Sequence, residues 1–224
     1  MLATSLRRDQ VRQIDQIAIE QYGMSGLVLM ENAGRGAAEA IAPLVRGRNP
    51  VILAGRGNNA GDGYVIARHL QLLGCEPAIV QLTDPSGLRG DAAVNWRIAQ
   101  AAEIPTWSVQ EEGLEELLER AGRSDAIVDA MVGTGAHGAL REPYSRAAAA
   151  ANRAAALRIA IDLPSGIDCD TGTAAGECFR ADQTMTFVAR KRGFESPESK
   201  QWTGHVTVIP IGVPRKLLRS VYLH

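Results

Sequence analysis

Apolar positions along this chain switch repeatedly between helical and strand-like spacing, and the switches lay out its elements. From Leu6 to Tyr22, Leu6, Ile14, Ile17 and Ala18 share one face at helical spacing, with Ser5 placed to cap the start and Gly23 to end it. A second helix is predicted after Ser25, through "LVLMENAGRGAAEAIAPLV". The short apolar run "VILA" then reads as a strand buried on both faces. A helix follows from about Gly61 to Leu73 and stops at Gly74. "PAIVQLT" predicts a strand, "DAAVNWRIAQAAE" a helix, "IPTWSV" a short strand and "EEGLEELLERAG" a helix. "DAIVDAMVGTGAHGA" repeats the order of apolar strand and glycine-rich loop. The alanine-rich "PYSRAAAAANRAAAL" predicts a helix, because alanine is the best helix former. "RIAIDLPSGID" is a strand entering a polar turn, and "QTMTFVA" and "HVTVIPI" are further strands.

Strands alternating with helices imply a mostly parallel sheet covered on both faces. The expected architecture is α/β: a Rossmann-like three-layer α/β/α sandwich with extra N-terminal helices that cover an edge or meet a second subunit. A length of 224 residues and 46% hydrophobic content suit one domain with a full core, and neither linker nor repeat interrupts it. The net charge of −1 gives no general electrostatic reason to expect nucleic acid or an anionic membrane. An aromatic fraction of 4% argues against base-stacking platforms. No apolar run nears the roughly 20 residues of a membrane span, and "MLATSLRRDQ" lacks a signal-peptide pattern. Cys75, Cys169 and Cys178 are odd in number and lack metal-type spacing, so they read as free thiols in a reducing compartment, the cytoplasm.

In open parallel sheets, ligands bind beyond the carboxyl ends of the strands. Three such ends carry unusual residues: "GRGNNAGDG", "DAMVGTGAHG" and "DLPSGID". In the first, Gly55, Gly57 and Ala60 satisfy the G-x-G-x-x-G/A pattern of a dinucleotide turn, but Asn58, Asn59 and Asp62 lie within it. Glycines let backbone N–H groups approach phosphate oxygens, or simply make tight turns. A P-loop is excluded, because G-x-x-x-x-G-K-[ST] occurs nowhere and position 62 is acidic. Ordinary dinucleotide binding stays open, with Asp84 as a possible ribose acid somewhat beyond the usual spacing. On residue type alone, Asn59 reads as an Asx turn, and Asp129 and Ser165 as caps.

Taken together, these segments resemble the NAD(P)HX epimerase family, the YjeF N-terminal domain fold. Its G-x-G-N-N-G-G-D-G loop is similar to Gly55–Gly63, its D-A-x-x-G-T-G loop to Asp129–Gly135, and its D-x-P-S-G loop to Asp162–Gly166. "GHVTVIPIGVP" resembles its terminal strand, and the likeness covers nearly the whole chain. One departure is Ala60, where the family usually has glycine; alanine there is strained if φ is positive.

The resemblance implies an isomerase that interconverts the R and S epimers of hydrated NADH or NADPH (NADHX or NADPHX). It implies substrate contacts from Asn58, Asn59, Ala60, Gly61 and Asp62, from the loop Gly133, Thr134, Gly135, Ala136, His137, Gly138 and Ala139, and from Asp162. It implies a potassium ion held by the side chains of Asn59, Asp129 and Ser165. Asp162 is the expected acid/base group, since it joins the site without being a potassium ligand. A homodimer and a functional pairing with a separate NAD(P)HX dehydratase are further implied, with no dehydratase domain in residues 1–224. His137 reads as a solvent-facing loop imidazole, His69 as surface or packing, and Arg190, Lys191 and Arg192 as a solvated basic face, with contact to the nucleotide phosphates as the alternative. An NAD(P)-dependent oxidoreductase with a variant loop and a non-catalytic nucleotide-binding scaffold remain the alternatives.

Overall fold

The computed structural model describes residues 5–222. Seven parallel strands form the main sheet: β2 (Pro50–Ala54), β3 (Ala78–Gln81), β4 (Thr106–Ser108), β5 (Ala126–Ala130), β6 (Leu157–Ile161), β7 (Gln183–Phe187) and β9 (His205–Ile209). Their order is β4-β3-β2-β5-β6-β7-β9. The chain builds outward from β2 to β4, then returns to place β5 on the other side of β2. This reversal makes a topological switch point between β2 and β5, where open α/β sheets bind ligands.

The strands are rich in apolar residues because both faces of the sheet are covered. Ile52, Ala54, Ile79, Val128 and Ala130 pack on one side, with α1 (Arg8–Tyr22), α2 (Gly26–Ile41), α3 (Asn58–Leu72), α4 (Gly90–Ala101) and α8 (Arg215–Tyr222). Val51, Leu53, Val80 and Ile127 face the other way, onto α5 (Leu114–Gly122) and α6 (Tyr144–Arg153). Alternation along each strand thus feeds two cores, and each fully buried Val, Leu or Ile contributes about 1.5–3 kcal/mol. The remaining helix, α7 (Lys200–Thr203), is one turn before β9.

Local signals set several boundaries. Gly23 adopts the left-handed conformation (φ 68°) and ends α1. The Ser25 hydroxyl accepts the Val28 N–H at 3.3 Å and caps α2. Three expectations need correction. Ser5 is not a helix cap: with Leu6 it forms β1 (Ser5–Leu6), parallel to β8 (Arg190–Lys191). The helix expected from Gly61 starts at Asn58, so only residues 55–57 of the first motif are a loop. Ala60 is therefore helical and fully buried, and escapes the strain of positive φ. The alanine-rich helix ends at Arg153, and Leu157 opens β6 instead.

Candidate functional site

β2, β5 and β6 are adjacent, so the three unusual segments leave neighbouring strands at one edge of the sheet. Their approach is close at Gly55, where an added Cβ would lie 2.1 Å from the Met131 carbonyl oxygen. Buried Gln81, at the end of β3, donates to the Gly55 carbonyl at 2.9 Å and accepts the Tyr64 hydroxyl at 2.6 Å. The turn is thus held by backbone contact on one side and a buried side-chain pair on the other. The first turn of α3 then carries Asn58 and Asn59 to the switch point, where helix N–H groups favour anions.

Asp129, on β5, is fully buried. One of its oxygens accepts the Ser165 N–H at 2.7 Å. The other accepts the Ser165 hydroxyl at 2.7 Å and the Met131 N–H at 3.1 Å. Burial pushes this carboxyl up to about 6, against the opposing effect of the hydrogen bonds from Ser165 and Met131. No cationic side chain among the described residues forms an ion pair with it. Ser165 Oγ also lies 3.1 Å from the Val132 carbonyl oxygen, so one hydroxyl proton faces two acceptors. Asn59, 6% exposed, has a buried amide oxygen and nitrogen with no hydrogen-bond partner among the described residues. Gly133 lies against it, with an added Cβ 3.3 Å from the Asn59 Cβ.

A hydrogen-bonded carboxylate without a cationic partner, a hydroxyl, a backbone carbonyl and an orphaned amide oxygen make a hard, oxygen-rich set with a deficit of positive charge. That chemistry fits a monovalent cation such as potassium. No trio of His, Cys, Asp and Glu among the described residues could hold a metal ion, which sets the site apart from carboxylate- or imidazole-rich centres.

A second cluster lies alongside. Asp162 follows β6 at φ 64°, a conformation costly for a non-glycine residue, which its surroundings enforce. Its N–H donates to the Met185 carbonyl at 2.7 Å. Its Oδ1 accepts Lys191 Nζ at 2.5 Å, the Phe187 N–H at 3.1 Å and the Thr186 hydroxyl at 3.4 Å. Lys191 is fully buried and also donates to Thr186 Oγ1 and the Phe187 carbonyl, each at 3.0 Å. Lys191 is thus no part of a solvated face; β8 turns it inward onto Asp162. Asp62, one helical turn after Asn59, faces this pair and Asp15 of α1. Burial, then the charges of Asp162 and Asp15, push the Asp62 carboxyl well above the usual range, with Lys191 opposing. Burial and Asp162 likewise raise Asp15 to about 6.

The loop from Gly133 to Ala139 is largely open to solvent, with Gly138 at φ 74°. Thr134, Gly135 and Ala136 follow Gly133 in a turn closed by Ala136 N–H to the Gly133 carbonyl at 3.2 Å. His137 is exposed, but the guanidinium of Arg8 abuts its ring. Asp84 instead caps a turn at Ser86 on the protein's exterior. His69 pairs with Glu31 away from these loops. All three cysteines are free and buried, and burial pushes Cys169 up to about 12. Sequence pattern missed Asp15, Lys191 and Arg8. Lys191 stood out only as a basic cluster, and nothing in the spacing of α1 marks two of its polar residues as inward.

Fold and site together define a doubly wound α/β protein with a buried polar site at its switch point. The profile of the family described as "YjeF-related protein N-terminus" matches residues 26–193, and the chain belongs to that family. It is 48% identical over 211 residues to the NAD(P)H-hydrate epimerase of Rhodopirellula baltica, covering 94% of this chain and 85% of that protein. It is 44% identical to the NAD(P)H-hydrate epimerase of Pirellula staleyi, covering 96% and 95%. The crystal structure of yeast ynu0 superposes with a TM-score of 0.81 at 22% identity over 98% of this chain and 93% of that one, a likeness of fold.

Proposed function

We propose that this chain is an NAD(P)H-hydrate epimerase, acting on reduced nicotinamide dinucleotides hydrated at ring carbon six. The observation that carries the reading is the meeting of all three motif segments on adjacent strand ends in a chain 48% identical to such an enzyme over 94% of its length. The first turn of α3, Asn58 to Asp62, would hold the altered ring, and backbone N–H groups of Gly133 to Ala139 the phosphates. Asn59, Asp129 and Ser165 would hold potassium, which neutralises Asp129 and fixes the three loops to one another. No described helix is long and apolar enough to cross a membrane. Three buried free thiols accord with action in the cytoplasm. A homodimer, and a dehydratase activity that works on the same hydrated nucleotides, complete the reading.

The chemistry follows from separating acid and base. The hydroxyl on carbon six leaves as water once protonated, and the ring-nitrogen lone pair forms the carbon–nitrogen double bond. Asp62, whose surroundings favour the protonated form, is placed as the acid. Asp162, its charge balanced by Lys191, is the base that takes a proton from water adding to the opposite face. One water leaves and one returns, and exchange with solvent restores both carboxyl groups. Negative charge from Asp162 stabilises the cationic ring between the two steps.

Incubating purified R-NADHX with the protein and separating the epimers by chromatography tests this directly. Appearance of the S epimer well above the spontaneous rate, with no net oxidation, is expected for NADHX and NADPHX. An unchanged epimer ratio would overturn the reading, and hydride transfer from unmodified NADH to a carbonyl would favour an oxidoreductase.

A further inference from the structure

Arg8 opens α1, outside the 26–193 family match, and is 2% exposed. Its two terminal nitrogens reach different loops. One abuts the imidazole of His137, and the other donates to Asp168 Oδ2 at 2.9 Å. Asp168 is itself fixed, since its Oδ1 accepts the N–H groups of Asp170 and Thr171, each at 2.9 Å. The Arg8 backbone N–H is anchored separately, on Asp170 Oδ1 at 2.8 Å. Arg8 Nε is buried and has no acceptor among the described residues.

A buried guanidinium with an orphaned donor is a poor stabilising device, and an apolar side chain of similar length would fill the space at lower cost. The arrangement instead joins a rigid loop, through Asp168, to an open glycine-containing loop, through His137. A loop that binds phosphate by backbone N–H groups must hold those groups in one geometry, or ligand binding must supply the ordering free energy. We propose that Arg8 is a positioning residue that fixes the 133–139 loop through His137, so that α1 is part of the dinucleotide site. The proposal rests on reading that loop as the phosphate cradle, and its test separates the two.

The variants are Arg8→Met, Arg8→Lys, His137→Ala and the Arg8→Met/His137→Ala double. His137→Ala alters an exposed loop side chain, so it keeps the test open if Arg8→Met folds poorly. ADP carries a pyrophosphate without nicotinamide and is the binding probe. Each single loss should weaken ADP binding about tenfold, with the double variant no weaker than the worse single, because both remove one coupling. Arg8→Lys, with one ammonium for two loops, should fall between. In Arg8→Met, amide hydrogen exchange should rise in residues 133–139 while α1 stays protected. KM for R-NADHX should rise similarly, with kcat within about twofold. Unchanged ADP affinity in folded Arg8→Met, additive losses in the double variant, or no ADP binding by the wild type would overturn the proposal. A wild type that binds ADP as described, yet leaves R-NADHX unchanged, would overturn the epimerase reading and leave the role of Arg8 standing.

Discussion

Lys191 and Asp162 form a buried ion pair in which each partner has a second task. Lys191 satisfies Thr186 and the Phe187 carbonyl, and Asp162 holds a left-handed backbone conformation at the strand end. Removing one member of such a pair strands the other's charge, at a cost of about 3–5 kcal/mol. Lys191→Met should therefore lower the urea midpoint markedly and abolish epimerisation. Adding Asp162→Asn should recover most of the stability, because the stranded charge is gone, without recovering activity. Urea titrations of the two variants and the wild type check this, and a Lys191→Met protein as stable as wild type would remove the pair from the account. The charges of Lys191 and Asp162 were visible in the sequence. Their contact was not, because 29 positions and a crossover separate them.

At the scale of elements, the apolar spacing of β2, β5 and β6 and the glycines after them were enough to place three segments at one edge of one sheet. The short pieces escaped. β1 and β8 are two residues each, too few to show a period, and α8 is an eight-residue helix whose apolar face is brief. The helix start at Asn58 was obscured because Gly57 and the two asparagines also suit a turn. The contribution of α1 was missed for a different reason. Its apolar face predicts the packing of Ile14 and Ala18 but says nothing of Asp15 beside them. In the fold burial, and then the charge of Asp162, raise Asp15 from 3.8 to about 6, with Lys191 opposing. A folded-state pKa above the unfolded value contributes stability that is full below about pH 4 and lost as pH rises through about 6. Asp15→Asn should thus stabilise the protein by about 1 kcal/mol more at pH 7.5 than at pH 4, after allowance for partial solvent access. Thermal melts across that range check the sign, and an equal effect at both pH values would contradict it.

For the whole molecule, the proposed potassium ligands come from the first turn of α3, from β5 and from the turn after β6. An ion there would tie together the three central strand ends rather than decorate one loop. Potassium at about one hundred times its Kd should stabilise the wild type by roughly 2.7 kcal/mol relative to a bulky organic cation at equal ionic strength. For a chain of this size that is a rise in Tm of about 5–10 °C. Asp129→Asn keeps the shape and removes the charge, so its melts should lose most of that difference. Equal potassium-specific stabilisation in both proteins would take Asp129 out of the ion site.

The pairing of Ser5 and Leu6 with Arg190 and Lys191 has a mechanical consequence. The backbone that carries the buried lysine is hydrogen-bonded to the amino-terminal strand, so force applied at that end is transmitted to the carboxylate cluster before the seven-stranded sheet bears it. A bulky fusion partner joined close to Ser5 therefore loads the chemical centre directly, and a flexible spacer between the two relieves it.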